Sequence, residues 1–371
     1  MTTSPKRLIE LDALRGIAAF IVVLHHAWLS LPDRPDWLQW LLETTPLRPV
    51  AMGRQAVVFF FVLSGFVLTR ALASQESRQP GSVLSLPGGA SYAAQRAVRL
   101  GLPVLAAVLF SALLQSALWS GPLPAETPHI VGGAAWDEMW DWRSLMTQIM
   151  LLSYGDGFQL DPVLWSLVHE WRVALLLPLV LLLRGRLAIL GAVALLGAGV
   201  ARLAGMPEGS VSLGESVPLT FAASAGFLPA FAAGAALALR PVGRLDHGQA
   251  LAAGLAVAVL AMTASDYGVI IGSVLLIMLA QRDGTLAALL RRPLPLWLGR
   301  ISFSLYLIHM PVLLALTHLL RDWIGPVSVA MLAIPLSLPL AALMYRTVEQ
   351  PAHQLARRLR WSAPRTAPAR A

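Results

Sequence analysis

The 371-residue sequence contains no cysteine, so disulfide bonds, thiolate metal ligands and a cysteine nucleophile are all excluded. Lysine is almost absent too, because Lys6 is the single one, and this excludes Schiff-base chemistry at a buried lysine. Charge of either sign is scarce: 13% of the residues are charged, whereas 57% are hydrophobic. A soluble domain of this length carries more charge, so the composition favours an integral membrane protein.

The net charge of +8 does not indicate nucleic-acid binding. The basic residues form small clusters between long apolar runs, and they do not form one continuous patch. Near the N-terminus, Lys6 and Arg7 precede an apolar stretch that Arg15, His25 and His26 interrupt. No small-residue cleavage site follows, so we expect a retained first membrane helix instead of a cleaved signal peptide.

The hydropathy pattern predicts an all-α integral membrane protein with about ten transmembrane helices, each needing about 20 mostly apolar residues. The predicted spans are residues 12–31, 51–73, 97–119, 163–183, 186–204, 218–239, 248–264, 267–282, 296–318 and 325–347. We divide the chain into a membrane domain, residues 1–350, and a basic, partly disordered tail, residues 351–371.

The distribution of arginine predicts that both termini lie in the cytoplasm. With this orientation, most of the 28 lysine and arginine residues fall in cytoplasmic loops and tails, as the positive-inside rule requires. The long loop 120–162 is acidic and fits the opposite side of the membrane. We therefore expect a multi-pass protein of the inner (plasma) membrane whose first partner is the lipid bilayer.

Two ionisable residues share one face of the first span. His26 follows Arg15 by eleven residues, which places the two about 20° apart around the helix and roughly 16 Å apart along it. Ionisable groups inside a membrane span are costly and usually functional. A cation at the inner mouth and a deeper imidazole suit a substrate with an anionic head and a reactive tail. Alternatively, Arg15 is a topology anchor and His26 is a hydrogen-bonded packing residue.

Two further sets of polar residues have helical spacing. Arg96 and Arg99 lie three residues apart and share a helix face, either to bind an anion or to anchor the topology. Ser302, Tyr306 and His309 follow the spacing i, i+4, i+7, so they form one polar stripe. That stripe predicts the lining of a cavity or, alternatively, hydrogen bonds that join neighbouring helices.

Six motifs in order resemble those of the membrane-bound acyltransferase 3 family, which acylates sugars and other acceptors. The first is Leu11-Asp12-x-Leu14-Arg15-Gly16 with His26, and the others are Phe59–Phe66, Arg96-x-x-Arg99 with Pro103, Leu164-Trp165-Ser166-Leu167 with Glu170, Ile301–Pro311 with Ser302, Tyr306 and His309, and Val348-Glu349-x-Pro351. The resemblance covers about residues 8 to 358, nearly the whole chain. It departs from the family pattern after Glu170: many members carry a phenylalanine–tyrosine pair there, whereas this chain continues with Trp171, Arg172, Val173 and Ala174.

The resemblance implies an enzyme that transfers an acyl group, most simply acetyl, from cytoplasmic acyl-coenzyme A to a hydroxyl of a carbohydrate or glycosylated acceptor. His26 is the expected general base, because an imidazole titrates near neutrality. Arg15, with Arg96 and Arg99, is expected to bind the coenzyme A phosphates.

The remaining predicted residues have broader assignments. Glu170 is a second catalytic candidate that orients His26, pairs with Arg172 or holds the acceptor. We expect Trp165 to line the substrate site with Ser302, Tyr306 and His309. Larger members of the family carry a fused extracytoplasmic hydrolase-like domain, but in this chain we expect the chemistry to occur in the membrane domain.

Other classes of protein stay open at this stage. Buried arginine, histidine and glutamate also build the proton relays of coupled transporters or exporters. The sequence shows no repeated halves of the kind that many transporters have. A structural subunit of a polysaccharide-assembly machine is a second alternative. No metal is expected, because the histidines lack close carboxylate or cysteine partners. No nucleic-acid partner is expected, and the oligomeric state is undetermined by the sequence.

Overall fold

The computed structural model describes residues 8–45, 47–124, 126–128, 130, 135–151, 158–240, 243 and 245–359. Within these residues the regular structure is entirely helical, which agrees with the all-α class predicted from the sequence. The helices are α1 (Ile9–Leu29), α2 (Asp36–Thr44), α3 (Gly53–Arg78), α4 (Leu86–Leu118), α5 (Trp142–Ile149), α6 (Leu164–Val180), α7 (Leu187–Leu203), α8 (Val217–Gly226), α9 (Leu228–Leu239), α10 (His247–Leu260), α11 (Asp266–Ala280), α12 (Thr285–Leu290), α13 (Pro293–Leu320), α14 (Pro326–Met344) and α15 (Gln350–Arg358).

Five of the described helices are long and apolar enough to cross a membrane. The five helical segments are Gly53–Arg78, Leu86–Leu118, Leu164–Leu183, Pro293–Leu320 and Pro326–Arg358. The consecutive helices α8 and α9, bent by 43° at their junction, pass the same test as a pair. α7, α10 and α11 are apolar but shorter, and α1 is outside this set. Each of the ten predicted spans coincides with one of these helices or with the bent pair, whereas the number of crossings and the orientation remain predictions.

Large apolar side chains are exposed on the outer helices. Leu113 of α4, Leu196 of α7, Val259 of α10 and Met331 of α14 are between 64% and 70% exposed. A soluble protein rarely exposes apolar surface on this scale, whereas lipid covers it in a membrane protein. The surface of the described helices therefore supports the membrane class.

Glycines bring the central helices into backbone contact. α1 packs most extensively on α13, and α3 packs most extensively on α9. A Cβ at Gly16 of α1 would overlap backbone atoms of Gly299 in α13, and a Cβ at Gly234 of α9 would overlap the Val62 carbonyl oxygen in α3. Gly65 approaches the Phe231 carbonyl in the same way. Small residues at such contacts let helices associate in lipid, where no hydrophobic force draws them together.

We expect Gly234→Ala to destabilise the protein by about 1–3 kcal/mol, because the added methyl group meets backbone atoms that cannot rotate away. Thermal unfolding in detergent or nanodiscs measures the effect. Gly101→Ala is the matched control, since a Cβ at Gly101 of α4 meets no atom within 4 Å. A glycine-to-alanine change in an open helix position is neutral or stabilising. Equal unfolding midpoints for the two variants would contradict the close α3–α9 contact.

The end of α14 contains an irregular turn that positions a carboxylate. Pro335 and Pro339 lie inside α14, and residues Tyr345–Glu349 form a π-helical turn. π turns re-aim side chains and often mark functional sites. Here the Glu349 carboxylate accepts hydrogen bonds from the Ser304 amide at 3.1 Å and the Ser304 hydroxyl at 2.6 Å. The turn thereby ties α14 to α13 next to the cavity described below.

The C-terminal region begins as a short helix. α15 follows the π turn and packs along α4, with Ala352 and Ala356 buried. Its last turn carries Arg357 and Arg358. The partly disordered tail was predicted for residues 351–371, of which residues 360–371 lie outside the described residues.

Candidate active site

A cavity of about 190 Å³ lies between the helices at one end of the bundle. Its lining comes from α1, α3, α4, α6, α13 and the segment after α14. Six of the residues predicted for the site line this cavity, namely Arg15, Arg96, Arg99, Glu170, Ser302 and Tyr306. Segments far apart in sequence thus bring most of the predicted polar groups together.

The mouth of the cavity is strongly basic. Arg99 is exposed, and Arg15, Arg96 and Arg357 all lie close enough to act on it electrostatically. The opposite charge nearby comes from Glu349. Among the described residues no carboxylate forms an ion pair with Arg99, so its guanidinium is available to an anionic ligand.

Arg15 is held in place at the same mouth. Its Nε donates to the Ser302 hydroxyl at 3.0 Å, and its Nη2 donates to Asp12 at 3.0 Å. Ser302 in turn donates to the Gly299 carbonyl at 3.1 Å. The Arg15 side chain remains 40% exposed, so these bonds orient the guanidinium without closing it off from a ligand.

A buried ion pair forms the cavity wall between α4 and α6. Arg96 donates to Glu170 at 3.0 Å, and the two side chains are 9% and 17% exposed. The Ser64 hydroxyl of α3 donates to the same Glu170 oxygen at 3.1 Å. Of the roles considered for Glu170, the described residues show no pairing with Arg172, and within them His26 makes its hydrogen bond to His309. Glu170 therefore fixes three helices around the cavity.

We expect Arg96→Met to lower the free energy of unfolding by about 3 kcal/mol, because it leaves the Glu170 carboxylate buried without its cation. The double variant Arg96→Met with Glu170→Met should recover most of this loss, since no uncompensated charge then remains. Thermal unfolding of the four proteins forms a double-mutant cycle. A double variant less stable than Arg96→Met would show that the pair does not act as a unit.

Tyr306 forms the inner wall of the cavity. It is 5% exposed, and its hydroxyl donates to the Val163 carbonyl at 3.0 Å. The Ser166 hydroxyl lies 2.6 Å from the Tyr306 hydroxyl and 3.2 Å from the same carbonyl. The serine of the tryptophan–serine motif is thus bound to the tyrosine of the serine–tyrosine–histidine motif.

His26 and His309 meet one helical turn beyond Tyr306. Nδ1 of His26 lies 2.8 Å from Nε2 of His309, and the Tyr306 and His309 ring centroids are 6.1 Å apart. Neither histidine is among the residues that line the cavity. His309 is 2% exposed, whereas His26 is half-buried. The predicted general base therefore lies outside the lining of the cavity, and it is joined to a residue that the sequence placed only on a polar stripe.

Two residues near the site have packing contacts. The His25 ring packs against Gly53, where a Cβ would overlap the imidazole. Trp165 lies beside His169 and Phe227, at 5.9 and 6.0 Å between ring centroids. Trp165 is not among the residues that line the cavity, although it was predicted to line the substrate site.

A second polar cluster joins Arg172 to His169 and Ser224, two residues that had no distinguishing pattern in the sequence. His169 is fully buried, and its Nδ1 lies 2.9 Å from the Ser224 hydroxyl. Arg172, the departure from the family pattern, donates to the Thr220 hydroxyl at 2.7 Å and to Ser224 at 3.2 Å. Arg172 thus binds α8 on the side of α6 away from Glu170. Only the contact between α6 and α8 makes this cluster recognisable.

Asp161 is a buried carboxyl group just before α6. It is 0% exposed, and its Oδ2 has no hydrogen-bond partner among the described residues. Burial raises the pKa of Asp161 well above its usual range, because desolvation outweighs the hydrogen bond from the Val163 amide. Asp161 belongs to the acidic loop 120–162, and its burial distinguishes it from the other carboxylates of that loop.

The described residues contain no cluster of side chains that could bind a metal ion. Within the ranges that the structure describes, no three histidine, aspartate or glutamate side chains are placed to hold a metal ion. The polar groups of the cavity are instead guanidinium, hydroxyl and carboxylate groups that bond to one another.

Comparisons with known proteins support the interpretation of the motifs. A family model described as an acyltransferase domain matches residues 8–346. The O-acetyltransferase PaAT-1 of Phomopsis amygdali is 28% identical over 201 residues, a match that covers 46% of this chain and 39% of that protein. The match therefore spans well under half of the relative's length. No solved structure gives a significant match.

Proposed function

The chain belongs to the acyltransferase-domain family and is an acyltransferase, and from this premise we propose that it transfers an acyl group, most simply acetyl, from acyl-coenzyme A to a hydroxyl. The acceptor is a glycan or a glycosylated molecule. The similarity to the O-acetyltransferase PaAT-1 supports an oxygen acceptor and an acetyl group. The donor, the acceptor and the residue roles below are part of the proposal.

The observation that carries the proposal is a basic cavity lined by Tyr306, whose ring centroid lies 6.1 Å from that of His309 in the His26–His309 pair. Arg15 and Arg99 at its mouth supply the guanidinium groups that bind phosphate well. The polyanionic nucleotide of coenzyme A would lie at this mouth, and the thin pantetheine arm would enter the cavity towards Tyr306. The thioester would then come close to the histidine pair, which lies one turn further along α13.

The proposed orientation places the donor mouth at the cytoplasmic face. The residues of the mouth come from the ends of α1, α4, α13 and α15 that the arginine distribution assigns to the cytoplasm. Acyl-coenzyme A is a cytoplasmic metabolite in this proposal, and the protein is a multi-pass protein of the inner (plasma) membrane.

In a direct transfer, the acceptor O–H gives its proton to an imidazole nitrogen of His26 while its oxygen bonds to the thioester carbonyl carbon. The tetrahedral adduct collapses when its carbon–sulfur bond breaks. The coenzyme A sulfur leaves with the bonding electron pair and takes the proton back from His26. The products are the ester and the free thiol, and His26 returns to its starting state.

The other predicted site residues hold Arg15 and the cavity walls in position. Glu170 holds Arg96 and Ser64 and thereby keeps the cavity open between α3, α4 and α6. Ser302 orients Arg15, and Tyr306 forms the cavity wall next to His309, with 6.1 Å between the ring centroids. Trp165 supports the wall behind Ser166 through its contacts with His169 and Phe227.

Purified protein in nanodiscs tests the proposal. Acetyl-coenzyme A is added with a panel of hydroxyl-bearing glycans, and the free thiol and the acetylated acceptor are both quantified. We expect release of one thiol for each ester formed, dependent on a suitable glycan. A folded protein that neither binds acyl-coenzyme A nor releases thiol with any acceptor would refute the proposal and favour a transporter, for which flux assays are then appropriate.

A further inference from the structure

We propose that His309 is a positioning residue that fixes the tautomer of His26, so that Nε2 of His26 carries the lone pair that accepts the proton. This inference rests on the proposed function for its role in the reaction. The tautomer itself is a property of the resting protein, and it is testable without turnover.

The two imidazole rings meet edge to edge in a hydrogen bond. Nδ1 of His26 and Nε2 of His309 are 2.8 Å apart, the ring planes differ by 13°, and the ring centroids are 5.1 Å apart. Parallel rings in face-to-face contact cannot bring two ring atoms so close, because stacked atoms stay about 3.5 Å apart. One of the two nitrogens therefore donates a proton to the other in the plane of the rings.

The direction of this bond follows from the other nitrogen of His309. Its Nδ1 lies 3.1 Å from the Leu305 carbonyl oxygen, one turn earlier in α13. A carbonyl oxygen only accepts, so Nδ1 of His309 carries the proton. In a neutral imidazole the second nitrogen then has the lone pair, and Nε2 of His309 must accept from Nδ1–H of His26.

The tautomer of His26 follows in the same way, because a neutral imidazole carries a proton on only one of its two nitrogens. With its proton on Nδ1, neutral His26 presents an unprotonated Nε2, the state that a general base requires. No described residue forms a hydrogen bond to this nitrogen, and His26 is half-buried although His309 is almost fully buried. The helix backbone thus sets the tautomer of His309, and His309 sets the tautomer of His26.

His309 is buried behind His26, so we expect it to influence the reaction only through its hydrogen bond to His26. It is 2% exposed whereas His26 is half-buried, so His26 and not His309 has surface that a substrate could reach. Its partners are the Leu305 carbonyl and the His26 ring. In hydrolases with a related arrangement, loss of the group that orients the base lowers kcat by up to about 10⁴-fold although geometry is preserved.

Two variants at position 309 separate tautomer control from packing. His309→Leu fills the space without an acceptor, whereas His309→Gln offers a side-chain carbonyl to Nδ1–H of His26. We expect His309→Leu to lower kcat by about 100-fold with the KM for acetyl-coenzyme A unchanged, and His309→Gln to recover at least about tenfold of that loss. His247→Leu is the control, because His247 is exposed at the start of α10, where its ring contacts Arg282 and neither histidine of the pair. Equal activity of the Leu and Gln variants, or full activity of His309→Leu, would overturn the proposal.

Nitrogen NMR reads the tautomer directly. The chain has eight histidines, so the protein labelled with ¹⁵N-histidine gives few signals, and the signals lost in His26→Ala identify those of His26. We expect protonated Nδ1 and unprotonated Nε2 at His26 in the unmodified protein, and a shift towards Nε2–H in His309→Leu. A protonated Nε2 at His26 in the unmodified protein overturns the inference even when transfer is active. Absence of transfer with the expected spectrum instead refutes only the proposed function.

Discussion

His26→Ala is expected to abolish measurable acyl transfer, with kcat lowered by about 10²–10⁴-fold, because the variant has no group that removes the acceptor proton. The folded structure should persist. His26 is half-buried, and its ring has one hydrogen bond, to His309, among the described residues. Release of thiol from acetyl-coenzyme A in the presence of acceptor measures the loss, and size-exclusion elution together with the thermal midpoint verifies folding.

Measuring donor binding distinguishes a catalytic role of His26 from a structural one. His26 lies roughly 16 Å along α1 from Arg15 and does not line the donor cavity. The dissociation constant for acetyl-coenzyme A should therefore remain within about twofold of the original value. Loss of donor binding together with turnover would indicate a structural role for His26 instead of a catalytic one.

The adjacent histidine provides a matched control. His25 has the same chemistry one residue earlier, but its ring packs against Gly53 and its Nδ1 has no hydrogen-bond partner among the described residues. We expect His25→Ala to reduce stability slightly and to retain most of the activity. If His25→Ala is inactive and His26→Ala is active, the assignment of the base is wrong.

Helical periodicity predicted which residues share a face of the same helix. The position of Arg15 relative to His26 follows from 3.6 residues per turn, and so does the grouping of Ser302, Tyr306 and His309. The ten apolar segments each coincide with a helix or a helix pair because the length of an apolar run is a local property. The number that cross the membrane and their orientation depend on the bilayer, so they remain predictions.

Contacts between helices were less accessible to sequence reasoning. The Arg96–Glu170 pair joins residues 74 positions apart, and the His26–His309 bond joins residues 283 positions apart. Periodicity places each of these residues on a face of its own helix but does not say which face of another helix meets it. The three roles considered for Glu170 stayed open for this reason, and the Arg96–Glu170 pair was absent from them.

Residues with no unusual pattern were missed altogether. Asp161 has the composition of its acidic loop, yet it is buried with an oxygen that has no hydrogen-bond partner among the described residues. His169 lies next to Glu170 in sequence but faces Ser224 of α8. Burial of a single polar side chain depends on the tertiary fold, so neither residue could be distinguished before the helices were packed.

Arg99→Gln is expected to raise the KM for acetyl-coenzyme A by about 10–100-fold with little change in kcat. A hydrogen bond to a charged group contributes about 1.5–3 kcal/mol, and each 1.4 kcal/mol corresponds to about tenfold in affinity. Arg99 is the better test of the phosphate site than Arg15, because Arg15 also holds Ser302 and Asp12. Added salt should weaken donor binding to the original protein more than binding to the variant.

A truncated donor separates phosphate binding from every other role of Arg99. Acetyl-pantetheine has the same thioester and arm as acetyl-coenzyme A but no nucleotide phosphates, so Arg99→Gln and the original protein should use it equally well. Arg184→Gln is the control, because Arg184 is exposed at the end of the bundle that the arginine distribution assigns to the cytoplasm and does not line the cavity. An equal loss with both donors would mean that Arg99 shapes the cavity without contacting phosphate. An unchanged KM for acetyl-coenzyme A would move the donor away from this mouth, because no other described guanidinium of the cavity is exposed and without an ion pair.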